Sequence, residues 1–220
     1  FNTSKLMKKA GTKASELEEE LAKTLQHFEQ SNNDLKAHLR LVYVTSAEKV
    51  EHKMADGSMS AYILIRIPYR SLGSFRKIGK QIIDHLEGKF KWPVVMVANR
   101  TIISTRGKCK HNALIIISYS YLPRLPKETP LRTLKAVHNE TLNDIVAPSY
   151  VTGRQVRVAA DGKRTEIVFL DPLDKEVMAD RLEALSGAYK QLTTHTVVFE
   201  FSKPTSFQQK KLEAQNKKKQ

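Results

Sequence analysis

Apolar residues recur at the spacing of an amphipathic helix in several parts of the chain. The first such stretch begins at Ser15-Glu16-Leu17-Glu18, where Ser and Glu have the spacing of a capping box. The apolar face of the helix that follows consists of Leu17, Leu21, Leu25 and Phe28. A second helix is predicted from about Ser71 to Gly88, and its inner face consists of Leu72, Phe75, Ile78, Ile82 and Leu86. Further helices are predicted from Leu131 and from Asp174 to Leu192, the latter interrupted near Ser186-Gly187.

Other stretches follow the pattern of β-strands. Asp56-Gly57, which precedes a β-rich run from Ala61 to Ile67, and Asp161-Gly162 are each typical of a hairpin turn. Val94 to Ala98 is predicted to be a buried strand, and Val197 to Phe201 a last strand. Because helices precede the strands and alternate with them, the pattern predicts an α/β or α+β fold, in which helices pack on a mixed β-sheet.

The 220 residues are enough for one large domain or two small ones. We expect a single α/β domain at residues 15–201, within which residues 99–129 form a variable loop or insertion. Residues 1–14 are predicted to be a basic N-terminal arm, and residues 202–220 a Lys-rich C-terminal extension with little to bury. A division near residue 125 is an alternative.

The charge balance narrows the class of partner. The chain has 37 Lys and Arg against 23 Asp and Glu, a net charge of +14, and such an excess repels itself unless a polyanion neutralises it. Nucleic acid is the expected partner, while a solvated basic surface or an anionic membrane face are the alternatives. The longest apolar stretch, Ala113 to Pro123, is too short and polar to span a bilayer. No signal-peptide pattern opens the chain and Cys109 stands alone, which favours the reducing cytoplasm.

Searches for catalytic patterns give no candidate. Gly73 and Gly79 have five residues between them instead of the four of a phosphate-binding loop, and Gln81 stands where that loop needs Ser or Thr. His111 lies near Cys109, but no second Cys completes a zinc site. We therefore expect no enzyme activity, cofactor, metal or small-molecule substrate.

Basic side chains beside predicted core positions are the candidate RNA-binding residues. They are Arg70, Arg76, Lys77, Lys80, Arg100, Arg106, Lys108, Lys110, Arg132, Lys135, Arg154, Arg157, Lys163 and Arg164. Each can neutralise a phosphate and release its counterions. The sequence has no aromatic pair of the RNP type and no Gly-x-x-Gly loop of the KH type, so we expect backbone and shape contacts instead of base reading.

Five motifs in a fixed order carry a resemblance to a known family. They are Ser31-Asn32-Asn33-Asp34-Leu35-Lys36-Ala37-His38-Leu39-Arg40, Ser74-Phe75-Arg76-Lys77-Ile78, Thr133 to Ser149, Gly153 to Gly162, and Ser186-Gly187-Ala188-Tyr189-Lys190 with Phe199-Glu200-Phe201. In this order they resemble the eukaryote-specific family of the seventh protein of the small (40S) ribosomal subunit, and the similarity covers about residues 31–201.

The resemblance implies a mixed α/β fold in contact with 18S rRNA and with neighbouring small-subunit proteins. It also implies a role in translation and pre-rRNA processing, a cytoplasmic location on the ribosome with a nucleolar assembly stage, and a protein that is not a homo-oligomer. By the same resemblance, the best RNA-contact positions are Arg76, Lys77, Arg132, Arg154 and Arg157. The rivals are a non-ribosomal RNA-binding assembly factor and a nucleic-acid enzyme.

The chain departs from the family pattern in two places. Where the family has a long basic loop, Ala113 to Tyr119 is apolar and β-prone, which would be an aggregation liability if exposed. We expect this run to be buried as an added strand or against a neighbouring protein. Its protein-contact candidates are Ile115, Ile116, Ile117 and Tyr119. The second departure is the Lys-rich tail after Phe201, which we expect to follow RNA or to stay mobile.

Overall fold

A computed structural model describes residues 5–8, 11–53, 59–102, 132–205 and 208 of the chain. Its helices are α1 (Glu16–Ser31), α2 (Lys36–Leu39), α3 (Leu72–Phe90), α4 (Leu134–Val146), α5 (Lys175–Met178) and α6 (Leu182–Thr193). Its strands are β1 (Ser46–Lys53), β2 (Met59–Ile67), β3 (Val94–Ala98), β4 (Val151–Val158), β5 (Arg164–Leu170) and β6 (Thr196–Phe201). The chain divides into two compact units, one formed by Phe1–Asn99 with Thr141–Gln220 and the other by Arg100–Glu140.

The strands form two sheets with the same topology. In the first, β1 and β2 are antiparallel and β3 is parallel to β2; in the second, β4 and β5 are antiparallel and β6 is parallel to β5. In each sheet a hairpin is followed by helix and then by the parallel strand, because a strand can return parallel to its neighbour only through a crossover. The predicted α+β class with mixed strand directions is confirmed, although the strands form two sheets where one was expected.

Both predicted hairpins are present in the strand pairing. Lys53 pairs with Met59 at the end of the β1–β2 ladder, on either side of the predicted Asp56-Gly57 turn, which itself lies outside the described residues. Val158 pairs with Arg164 at the end of the β4–β5 ladder. Gly162 there has a φ of 78°, a left-handed conformation that glycine adopts without steric cost.

The central strands of the first sheet are buried on both faces. Alternate residues point to opposite sides of a strand, so β2 and β3 supply side chains to two hydrophobic cores. The first core packs these strands against α1 and α3 and includes Leu25, Ile63, Ile65, Phe75, Ile82, Val94 and Met96. The second core packs them against α6 and the second sheet and includes Tyr62, Leu64, Val95, Val97, Val168, Leu170, Leu185 and Phe199.

Two ion pairs join the N-terminal residues to this fold. Leu6 forms a parallel bridge with Val44, and the buried Lys5 donates to the Leu39 carbonyl at 2.8 Å and pairs with Glu29. Lys8 pairs with Glu18, whose carboxylate also accepts the Ser15 N–H at 2.8 Å, as the predicted capping box requires. Residues 5–8 of the predicted arm are therefore held against α1 and the segment before β1.

The predicted interruption of the last helix near Ser186-Gly187 is wrong. Helix α6 continues through both residues, and the break lies earlier, in a 3₁₀ turn at Ala179–Arg181. A Cβ added to Gly187 would lie 3.1 Å from Cγ of His52 in β1. Glycine thus lets the helix pass close to the first sheet and does not end it.

Candidate nucleic-acid interface

The outer face of α3 is basic because its apolar residues are used in the core. Phe75, Ile78 and Ile82 are buried, so the opposite face of the helix turns to solvent. Lys77 and Lys80 are exposed, and the Arg76 side chain is 55% exposed. Arg70 is also exposed, on the 3₁₀ turn that leads into α3. These four predicted residues therefore lie on α3 or on the turn that leads into it.

The guanidinium of Arg76 is held by a buried carboxylate. The Asp144 side chain of α4 is 2% exposed, and its Oδ1 lies 3.5 Å from Arg76 Nη2. Its other oxygen accepts the Ala98 N–H of β3 at 3.3 Å. Asp144 thus joins α3 to the end of β3, and it orients a guanidinium whose side chain still reaches the surface.

The β4–β5 hairpin carries the second group of predicted residues. Arg157, Lys163 and Arg164 are exposed near its turn, while Arg154 lies closer to the core and its Nη2 donates to Asn143 Oδ1 at 3.2 Å. Since paired residues of an antiparallel ladder share a face, Arg154 lies on the side of the buried Val168, and Arg157 on the opposite side. The hairpin therefore presents cations on both of its faces.

The compact unit Arg100–Glu140 contains three more candidates within the described residues. Arg100 Nη2 lies 3.7 Å from Glu140 Oε2, so part of its charge is balanced internally. Arg132 and Lys135 are exposed at the start of α4. The candidates Arg106, Lys108 and Lys110, and the apolar run with Ile115, Ile116, Ile117 and Tyr119, lie outside the described residues.

A group of basic residues between α1 and α3 was missed by the sequence predictions. Lys23 and His27 of α1 and His85 and Lys89 of α3 line one groove. Each pair has its members four residues apart, which places them on one helical face. This spacing is visible in the sequence, but it becomes a shared surface only when the two helices are known to pack together.

Features of other functional classes are missing from the described part of the chain. Across those residues no cluster of three or more His, Cys, Asp or Glu side chains is arranged to hold a metal. The helices described there are also too short or too polar to cross a membrane. The clustered positive charges of the α3 face and of the β4–β5 hairpin are the kind of surface that marks a nucleic-acid-binding protein.

Comparison with known proteins identifies the family. Residues 5–201 match the family model described as ribosomal protein S7e. The small ribosomal subunit protein eS7 of Avicennia marina is 36% identical over 198 residues, which are 90% of this chain and 95% of that protein. Its relative eS7z of Arabidopsis thaliana is 35% identical, over 90% of this chain and 94% of that protein. The eS7 of Manduca sexta is 31% identical, over 92% and 98%.

This chain belongs to the ribosomal protein S7e family, whose members are structural proteins of the small ribosomal subunit and not enzymes. The resemblance found in the five ordered motifs is thereby confirmed.

Proposed function

We propose that this protein is a structural constituent of the 40S subunit that binds 18S rRNA mainly through phosphate and shape contacts. The observation that carries the proposal is the outer face of α3, where Arg76, Lys77 and Lys80 stand side by side over a rigid core. Cations fixed on a helix meet a polyanion without first losing backbone freedom. The exposed arginines and lysine of the β4–β5 hairpin supply a second contact region.

The proposal extends to the protein's place in the cell. The family relatives carry small-subunit names, which supports a cytoplasmic location on the ribosome and contacts with neighbouring small-subunit proteins. A nucleolar stage, with participation in subunit assembly and pre-rRNA processing, follows if the protein joins the particle while the rRNA matures. We also propose that it does not form a homo-oligomer.

Salt-dependent RNA binding tests the contact face. The K77Q/K80Q variant should bind in vitro transcribed 18S rRNA more weakly, and its slope of log affinity against log salt should be shallower by about 1 for each lost phosphate contact. The K175Q/K190Q variant removes the same charge from exposed positions on α5 and α6 and serves as the control. Equal losses in the two variants would mean that only net charge matters and that α3 is not a contact face.

Sedimentation separates a ribosomal constituent from an assembly factor. A constituent should travel with mature 40S subunits and polysomes in near-stoichiometric amount through a high-salt gradient, as measured by mass spectrometry of the 40S peak. Recovery only in precursor particles, or release by the salt, would instead support the assembly-factor alternative.

A further inference from the structure

The groove between α1 and α3 gathers four basic side chains, two from each helix. The two helices run in opposite directions, since Thr24 contacts Lys89 and Phe28 contacts His85. The groove has a volume of about 660 Å³, and Lys23, His27, Asp84, His85 and Lys89 line it.

Helix α1 fixes the two basic groups of α3 in place. The Lys89 ammonium donates to Thr24 Oγ1 at 2.5 Å, and Thr24 is only 3% exposed. The Thr24 hydroxyl in turn donates to the Glu20 carbonyl at 2.7 Å. The His85 ring stacks on Phe28 with the ring centroids 4.4 Å apart and the planes at 25°. The α3 side of the groove is therefore organised before any ligand arrives, while Lys23 and His27 are exposed on the α1 side.

The electrostatics of the groove favour an anion. Burial lowers the pKa of His85, and the positive charges of His27 and Lys89 lower it further, so a proton there meets like charges. Asp84 is the acidic residue among the described groove residues. Asp84 also interacts with Arg181, whose Nη2 lies 3.1 Å from Glu87 Oε1, so the acids of this part of α3 already have a cation.

The last turn of α3 contributes some negative charge of its own. The carbonyl end of a helix carries a partial negative charge, and Lys89 lies in that turn. The charges of Lys23 and Lys89 nevertheless outnumber that of Asp84, and protonation of His85 at low pH would add a further positive charge. An anion with several acceptor oxygens fits such converging donors better than a single carboxylate does.

We propose that this groove binds a phosphate of the RNA backbone, held by Lys23 and Lys89 and bound more tightly when His27 and His85 are protonated. The inference rests on the proposed function, because it adds a second, pH-sensitive phosphate site to the rRNA-binding surface. A free phosphate offers the same chemistry, so the experiment has one arm for each source.

Histidine titration by NMR on the full chain tests the ligand. An RNA duplex of mixed sequence should raise the apparent pKa of His85 and move the ring resonances of His27, assigned through H85Q and H27Q, and inorganic phosphate should produce smaller changes in the same direction. Chloride at matched ionic strength should not. Shifts with inorganic phosphate alone, or with neither probe, would overturn the proposal.

A matched pair of variants tests the contribution to rRNA binding. K23Q/H27Q should lower the affinity for 18S rRNA about fivefold at pH 6.0, make the salt slope shallower by about 1, and reduce the tightening between pH 7.5 and 6.0. K190Q/H195Q removes the same residue types from exposed positions outside the groove. Thr24 and Lys89 remain in the test variant, and urea unfolding confirms its fold.

Failure of the groove proposal can be distinguished from failure of the proposed function. If K23Q/H27Q behaves like its control while K77Q/K80Q still weakens rRNA binding, the groove is no phosphate site and the proposed function stands. If the wild type itself binds rRNA no better than a protein of equal net charge, the proposed function fails as well.

Discussion

At the residue scale, Asp144 shows how a buried charge is retained beside a binding face. Its carboxylate accepts from the Ala98 N–H and lies against Arg76. A buried carboxylate without such partners would be costly. The same contacts leave Arg76 more than half exposed, so one interaction serves both the packing of α4 and the surface of α3.

Removing Asp144 should therefore destabilise the fold more than removing Arg76. We expect D144A to lower the free energy of unfolding by about 2 kcal/mol, because it leaves a buried N–H unpaired. D144N should cost less, since its amide oxygen can still accept from Ala98. R76A should cost about 0.5 kcal/mol, as is usual for exposed ion pairs. Urea unfolding at pH 7 measures all three, and an R76A loss as large as that of D144A would contradict the assignment.

His85 should make stability depend on pH. Its pKa in the fold lies below the ordinary 6.5 because of burial and of the His27 and Lys89 charges, so the unfolded chain binds a proton more readily. The stability contributed by neutral His85 is thus fully present above about pH 6.5, and it is lost as the pH falls below that value. The urea midpoint should drop less between pH 7 and 5 in H85Q than in the wild type. The substitution H195Q controls for the loss of an imidazole, and an unchanged slope in H85Q would refute the prediction.

At the element scale, local periodicity predicted most of the elements but not their assembly. Helix α3 and strand β3 were found because their apolar pattern is continuous and Pro93 separates them. The repeated arrangement of hairpin, helix and parallel strand was not predicted, because it depends on which strands pair. The groove between α1 and α3 was missed for the same reason: its cations lie about 60 residues apart in the chain.

Gly187 is the clearest case of a misinterpreted local signal. Glycine weakens a helix on its own, so the sequence predicted a break, whereas the structure shows close packing on His52. G187V should destabilise the protein by about 1–3 kcal/mol through overpacking. G73A in α3 meets nothing within 4 Å and should instead stabilise by about 0.5 kcal/mol. Thermal and urea unfolding measure both, and a G187V protein as stable as the wild type would show that His52 moves aside freely.

At the scale of the whole molecule, the first sheet links the two hydrophobic cores. Residues of β2 and β3 alternate between them, with Ile63 and Ile65 in the first and Tyr62 and Leu64 in the second. If this sheet came apart on the side of one core, the apolar side chains of the other core would also become exposed. The basic faces of α3 and of the β4–β5 hairpin belong to the same compact unit, so their rigidity rests on both cores.

The two cores should therefore unfold in one step. L25A in the first core and L185A in the second each remove a side chain that is at most 2% exposed, and each should cost about 2–5 kcal/mol. Trp92, the single tryptophan, precedes β3 and reports on the first sheet by fluorescence. In both variants the urea midpoint measured by Trp92 fluorescence should shift. The loss of amide-exchange protection in α3 and α6 should shift by the same amount, as two-state behaviour requires. If L185A released α6 while Trp92 and α3 kept their wild-type midpoint, the second core would be an independent folding unit, and the hairpin could then detach from a contact surface that α3 still maintains.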